Sequence, residues 1–279
     1  MYDISKKIDG FNLKILKIIN EITDKLNIDY FIVGATVRDI ILNYVYDIII
    51  YRATNDVDFA VRVKSWNEYK LLTEEIEKAG FEKDNKIIHR YRYQGKIVDF
   101  IPFGEVATED GIIVWPDKDE KAMSVLGFDD AYLNREDILI QSEPEIIIKA
   151  ASVQSLAVLK IFSWNERTIN ERLRDAKDLY LIITKYLQTG NDIRLFDHQD
   201  IVEQAVDYEL SGAMLLGRDI AKFVNKKVLQ SLIDILTSDR MIILAKEMSQ
   251  YEAISLDNDD KQHWCENLLN NLLSGLQSK

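Results

Sequence analysis

The chain has 279 residues, enough at roughly 150 residues per domain for two domains, and its 47% hydrophobic and 29% charged content with 11 glycines and 3 prolines excludes a disordered, collagen-like or linker sequence. Lysine and arginine total 35 against 47 acids, so a net charge of -12 excludes a surface that is basic all over, and any contact with nucleic acid has to be local. The single cysteine, Cys265, can form neither an intramolecular disulfide nor a thiolate zinc cluster, which suits a reducing, cytoplasmic setting. Neither a signal peptide nor a membrane span is expected, because no stretch approaches about 20 apolar residues free of charge.

From the N-terminus, Phe11, Ile15, Ile18, Ile19 and Ile22 recur at intervals of three and four, which predicts an amphipathic helix ending near Asn27. A buried strand follows over Tyr30–Val33, then the tight turn Gly34-Ala35-Thr36 and a second helix from Val37 to about Ile50. After Thr54-Asn55, the run Asp56 to Val63 alternates. Val57, Phe59, Val61 and Val63 share one parity, and Asp56, Asp58 and Arg62 share the other, so a strand carries two carboxylates on one face.

A charged helix is predicted over Trp66–Ala79, then Gly80, then a strand pair, Ile87–Tyr93 and Lys96–Phe100, joined at Gln94-Gly95. Turn signals such as Trp115-Pro116-Asp117 and Gly127 mark residues 104–145, and Ser142-Glu143-Pro144 is the expected boundary. Helical periodicity then takes over. The expected class is α+β: a catalytic α/β domain with a mixed sheet over 1–145, then a helical domain over 146–279.

Two carboxylates at i, i+2 on a strand lie about 7 Å apart along one face, close enough to share divalent cations. Asp99, a lone acid in the apolar run Ile97–Phe103, is the expected third ligand beside Asp56 and Asp58. Three acids near a glycine turn suit magnesium and a triphosphate, since magnesium takes a few carboxylates and completes its shell with substrate phosphates. A bare pair of strand acids is also what a solvated strand face looks like. The turn Gly34-Ala35-Thr36 shifts the balance, because a strand-to-helix turn offers backbone N–H groups to phosphate oxygens.

The order of these parts resembles the polymerase-β-type nucleotidyltransferase superfamily, and within it the AbiEii/AbiGii-type toxins. The segments that carry the resemblance are VGATVRDIIL (33–42), NDVDFAV (55–61), IVDFIPFG (97–104), LAVLKIFSWNER (156–167), RDAKDLYLI (174–182) and GAMLLGRDI (212–220). The resemblance implies that Asp56 and Asp58 hold metal ions and that Gly34 and its following residue position the triphosphate. One departure is Ala35, where members commonly have serine or a second glycine, so a hydroxyl contact is left to Thr36. Arg38-Asp39 is similar to an arginine-aspartate pair of tRNA-end-adding enzymes, and a helix-surface pair explains it equally well.

The second block places Lys160 in the helical domain with Asp175 and Asp178 after it. On one continuous helix Lys160, Arg167 and Asp178 would share a face with Asp175 flanking, although Thr168-Ile169-Asn170 can divide it. A lysine there can neutralise triphosphate charge and an aspartate can orient it or assist deprotonation of the acceptor. A surface ion-pair face is the plainer alternative. Lys160 is expected to reach the active site, with the cleft between the domains, and Lys160→Ala to weaken NTP binding or turnover by at least about tenfold with little change in melting temperature. Arg90 and Arg92 around Tyr91 and Tyr93, and Arg167 with Arg172 and Arg174, are candidate acceptor contacts; an exposed edge strand would show the same Arg-Tyr alternation. Gly217-Arg218-Asp219 reads as a phosphate-approaching turn or a helix C-cap, and the contexts of His89, His198 and His263 suggest neither zinc nor a triad.

The implied activity is transfer of NMP from an NTP, with two magnesium ions, to an acceptor. The family points to RNA and the tRNA 3′ end, in a toxin-antitoxin or phage-defence system with a cognate antitoxin. Nucleotidylation of a protein or small molecule, and an inactive nucleotide-binding regulator, are the alternatives.

Overall fold

The computed structural model describes every residue except 51–53, 55, 117–121, 205–206, 252–253, 255–256 and 279, and describes Phe11 and Asn258 by their backbone alone. Asn55 and Asp117 of the expected turns therefore lie outside the described residues. The chain divides into two compact units, Met1–Ser152 and Val153–Lys279.

The first unit runs β1 (Tyr2–Asp3), α1 (Gly10–Leu26), β2 (Asp29–Val33), α2 (Gly34–Asp39), β3 (Asp56–Val63), α3 (Trp66–Lys78), β4 (Glu82–Lys83), β5 (Arg90–Tyr93), β6 (Lys96–Gly104), β7 (Ile112–Val114), β8 (Ala122–Ser124), α4 (Phe128–Leu133), β9 (Arg135–Ser142) and β10 (Glu145–Ala151). Eight strands form one mixed sheet in the order β1-β9-β10-β2-β3-β6-β5-β4, and β7 and β8 form a separate hairpin. β3 runs parallel to β6 and antiparallel to β2, so the sheet's centre joins three segments that the sequence reads as strands.

Both faces of the sheet follow from the period of two. On one face Tyr30, Phe59, Phe100 and Tyr91 pack ring against ring, with Phe59 and Phe100 stacked at 5.3 Å. On the other, Phe31 and Phe103 meet Phe128 and Tyr132 of α4. Asp56 and Asp58 belong to that second face, beyond these rings.

Several expectations change. The second helix starts at Gly34 rather than Val37 and passes into a π-helical stretch over Ile40–Val45, ending near Tyr46. β5 is shorter than Ile87–Tyr93, because Asp84 accepts the N–H groups of Lys86 and Ile87 and holds a turn there. Ser142-Glu143-Pro144 is a hairpin turn inside the first unit: Glu145–Ala151 pairs antiparallel with β9 and, at Ala150, with Ile32 of β2.

The second unit is helical: α5 (Val153–Glu166), α6 (Ile169–Lys185), a 3-10 turn (Ile193–Asp197), α7 (Gln199–Gln204), α8 (Tyr208–Phe223), α9 (Lys226–Thr237), α10 (Arg240–Met248) and α11 (Asn258–Gln277). Gly217 sits in the middle of α8, neither in a turn nor at a cap. A Cβ there would meet the Leu272 carbonyl oxygen at 2.2 Å, and one on Gly275 would meet that of Met214 at 2.1 Å, so the two glycines let α8 and α11 touch backbone to backbone. The class is thus α+β, a mixed-sheet unit followed by a helical unit, and no helix among the described residues is long and apolar enough to cross a membrane.

Candidate active site

Asp56 and Asp58 stand on one face of β3, each half-buried. Register carries that face across the sheet: Val33 of β2 pairs with Asp58, Asp58 with Asp99 of β6, and Asp99 with Arg90 of β5. Neighbouring strands lie about 4.8 Å apart, so Asp58 and Asp99 are side by side despite their distance in sequence.

Gly34 follows Val33 directly, at φ +74, in the left-handed region. A Cβ on it would lie 2.0 Å from Asp58 Oδ2, so the Asp58 carboxylate fills the space that a side chain at 34 would take. Only glycine satisfies both the backbone angle and this approach. Ala35 behind it is half-buried. Thr36 is buried, and its hydroxyl donates to the Asp56 carbonyl oxygen, tying the start of α2 to β3. The hydroxyl expected to face substrate is therefore committed to the backbone beside the acids. Arg38 is buried at 1% exposure, which overturns the surface-pair alternative: its guanidinium donates to Asp39, and Asp39 accepts from the Thr54 N–H.

Asp99, expected as the third ligand, lies on the same sheet face beside Asp58, with its carboxylate already paired. It is buried at 5% exposure, and Arg90 engages both of its oxygens in a fork, Nε to Oδ1 at 2.9 Å and Nη2 to Oδ2 at 2.8 Å. Hydrogen bonding to Asp99, with the charges of Asp56 and Asp58, raises the Arg90 guanidinium above its already high ordinary value against the effect of burial. Among the described residues no three His, Cys, Asp or Glu side chains are disposed to hold a metal ion together. Asp56 and Asp58 do suit a divalent cation: they are hard oxygen donors on one strand face, and the glycine cradle fixes one of them.

His89, which the sequence reading left aside, also borders Asp99, with Nε2 3.9 Å from Oδ2, and its ring stacks on Trp115 at 6.1 Å. Tyr91 and Tyr93 are buried in the core, so they offer no stacking surface and the Arg-Tyr alternation is the two faces of an inner strand.

In the second unit, Lys160 of α5 is buried at 8% exposure, and its ammonium donates to Asp175 and Asp178 of α6 at 2.7 Å each. The helix is divided before Ile169, as Thr168-Ile169-Asn170 allows, and the cluster forms between two packed helices. Asp175 also accepts from Ser163 Oγ at 3.0 Å and Arg167 Nη1 at 2.8 Å. Burial would lower the Lys160 pKa, but the two carboxylates outweigh it and raise it. Lys160 is thus a neutralised cation rather than a spare positive charge. Arg172 leaves the expected arginine cluster to bind Glu247, which also accepts from the Trp164 indole.

Two remaining candidates are structural. In Gly217-Arg218-Asp219, Arg218 pairs with Asp200, and Asp219 is forked by Arg194 at 2.7 Å twice and bonded by Tyr186. A groove lined by His198, Asp200, Arg218, Ala221, Lys222 and Ser278 lies there and holds none of the expected site residues. Cys265 is buried, and burial pushes its thiol up to about 12, which makes it unreactive.

No curated protein matches the chain by sequence. Among solved structures, the antibiotic-resistance factor ANT(2″)-Ia in complex with adenylyl-2″-tobramycin is 13% identical, with a TM-score of 0.40 over 67% of this chain and 99% of that one. The Thermotoga maritima CCA-adding enzyme complexed with tRNA is 11% identical, with a TM-score of 0.29 over 98% and 82%. A family model described as nucleotidyl transferase AbiEii toxin, type IV TA system, matches residues 23–210, a stretch that holds the Gly34 turn, the three acids and the Lys160 block; the chain belongs to the AbiEii family of nucleotidyltransferase toxins.

Proposed function

We propose that this nucleotidyltransferase moves NMP from an NTP to a hydroxyl of an RNA acceptor, releasing pyrophosphate, and that it acts in the cytoplasm as the toxin of a defence or growth-control system with a cognate antitoxin. The observation that carries the reading is the seat of the Asp58 carboxylate against Gly34, beside Asp56 on the same strand face. Asp56 and Asp58 would hold magnesium, which, when bound, supplies charge neutralisation for the triphosphate and activation of the attacking hydroxyl. Gly34, with no side chain, gives the Asp58 carboxylate its seat, and the backbone N–H groups of the turn would meet phosphate oxygens. Thr36 keeps the turn and the acid strand together. Arg38 stays buried beside the turn, paired with Asp39. Lys160 and Asp175, held by each other and by Asp178 and Arg167, are the second set of residues that the transfer requires.

Incubation of the protein with labelled NTPs, magnesium, total RNA and total protein tests the reading. Label is expected in RNA. Asp56→Asn and Asp58→Asn should each lower the rate by at least about a hundredfold while leaving the melting temperature unchanged or higher, because each removes one of two adjacent like charges. Label in protein would replace the acceptor, and full magnesium-dependent activity in either variant would overturn the site.

A further inference from the structure

Four positions lie in one row across the sheet, Val33, Asp58, Asp99 and Arg90, with Gly34 at one flank and Arg90 at the other. Asp58 and Asp99 are neighbouring like charges, and a cation has to compensate Asp99 for its burial. Arg90 meets that need through Nε and Nη2, which spends two of a guanidinium's five N–H donors. The side chain keeps 24% of its surface exposed. Asp99, with both oxygens engaged, holds the fork in one orientation. Arg92, two residues on and on the same strand face, is 47% exposed and meets Asp84 only at 3.6 Å. One strand thus presents a fixed guanidinium and a freer one at the end of the acid row away from Gly34. That flank holds the cation of the row, Arg90, with Arg92 beside it, each facing a carboxylate and each keeping part of its surface exposed, in a protein of net charge -12.

We propose that Asp99 is a positioning residue rather than a metal ligand, and that it presents Arg90, with Arg92 beside it, to a phosphodiester of the acceptor RNA. The inference rests on the transfer reading above, which puts the triphosphate at Gly34 and so leaves the opposite flank to the acceptor. Arginine suits the task because its planar fork can hold a carboxylate on one edge and offer its remaining donors to a phosphate.

Two binding measurements on the full chain test it, both without turnover. The first follows a short fluorescent single-stranded RNA with a free 3′ hydroxyl, in chelator and without nucleotide. Arg90→Gln, Arg92→Gln and Asp99→Asn should each weaken binding by about fivefold to tenfold, and the two arginine variants should each flatten the dependence of log K on log salt by about 0.7. Arg90→Lys, which keeps the charge and loses the fork, should keep the salt slope. The second measurement is Mn2+ binding alone: Asp56→Asn should lose about tenfold in affinity, and Asp99→Asn should stay close to the parent. A parent that does not bind RNA, arginine variants that bind it as the parent does, or an Asp99→Asn that loses Mn2+ as Asp56→Asn does would each overturn the proposal. If Asp56→Asn leaves Mn2+ binding intact while Arg90→Gln weakens RNA binding, the two-acid metal site fails and the clasp stands.

Discussion

At residue scale, two positions are under constraints that the side-chain chemistry alone does not suggest. Gly34 combines a positive φ with a 2.0 Å approach of its missing Cβ to Asp58 Oδ2. Gly34→Ala should therefore displace the Asp58 carboxylate and lower the transfer rate by about a hundredfold or more, at a stability cost of about 1–3 kcal/mol from the strained backbone. Rate assays and denaturant melts of the same preparation would check both numbers. Lys160 gives the opposite balance. Lys160→Ala removes the ammonium that two buried carboxylates share, although Asp175 keeps Arg167 and Ser163, so the expectation of little change in melting temperature gives way to a loss of about 3 kcal/mol, read as a lower denaturant midpoint. Adding Asp178→Asn to that variant should restore part of the stability without restoring transfer. The Lys160 pKa is raised on folding, so this stabilisation is full below the ordinary lysine value and fades only as pH climbs through the raised one.

At the scale of elements, the late GRD segment shows what a motif does when it lies inside a helix. Asp219 of α8 is forked by Arg194 of the 3-10 turn and bonded by Tyr186 and Lys222, so one carboxylate ties α8 to the 3-10 turn and to the end of α6. Burial alone would raise its pKa, but the hydrogen bonds from Arg194 and Tyr186 lower it. A depressed carboxylate stabilises above its unfolded pKa of about 3.9 and ceases to do so as pH falls through the folded value. Asp219→Asn should cost about 2 kcal/mol at pH 7, and the gap to the parent should close as the pH is brought below about 4 in paired thermal melts. The same scale explains what could be read from the sequence. The acid strand was legible because its period of two separates Asp56 and Asp58 from Val57 and Phe59 without any tertiary information. The Asp58–Asp99–Arg90 row was not, since it depends on strand order and register, which local pattern leaves open. Most of the run Glu145–Ala151 falls in what the sequence assigns to the helical domain, because the periodicity of a short apolar run does not tell strand from helix and only its pairing with β9 and β2 decides. The π-helical turn over Ile40–Val45 has no sequence signal of its own.

At the scale of the molecule, the two candidate clusters fall in different units, so the proposed reading predicts that binding and turnover can be separated. Gly34, Asp56, Asp58, Asp99 and Arg90 all lie within Met1–Ser152, together with every strand of the sheet and the helices α1 and α3, which bury Ile15, Ile19, Leu72 and Ile76. About 150 residues bury roughly 70% of the surface that the unfolded chain exposes, enough for an independent core. Lys160, Asp175 and Asp178 lie in Val153–Lys279. A protein ending at Ser152 should therefore keep its sheet, seen as a cooperative melt, and bind Mn2+ within about threefold of the full chain, because each acid it needs is placed by β3 and the Gly34 turn. It should show no nucleotide transfer, since the buried lysine-carboxylate cluster is missing. Loss of Mn2+ binding in a truncated protein that still melts cooperatively would mean that residues beyond Ser152 complete the metal site. Transfer at the full rate would instead mean that the Lys160 cluster serves the stability of the helical unit alone.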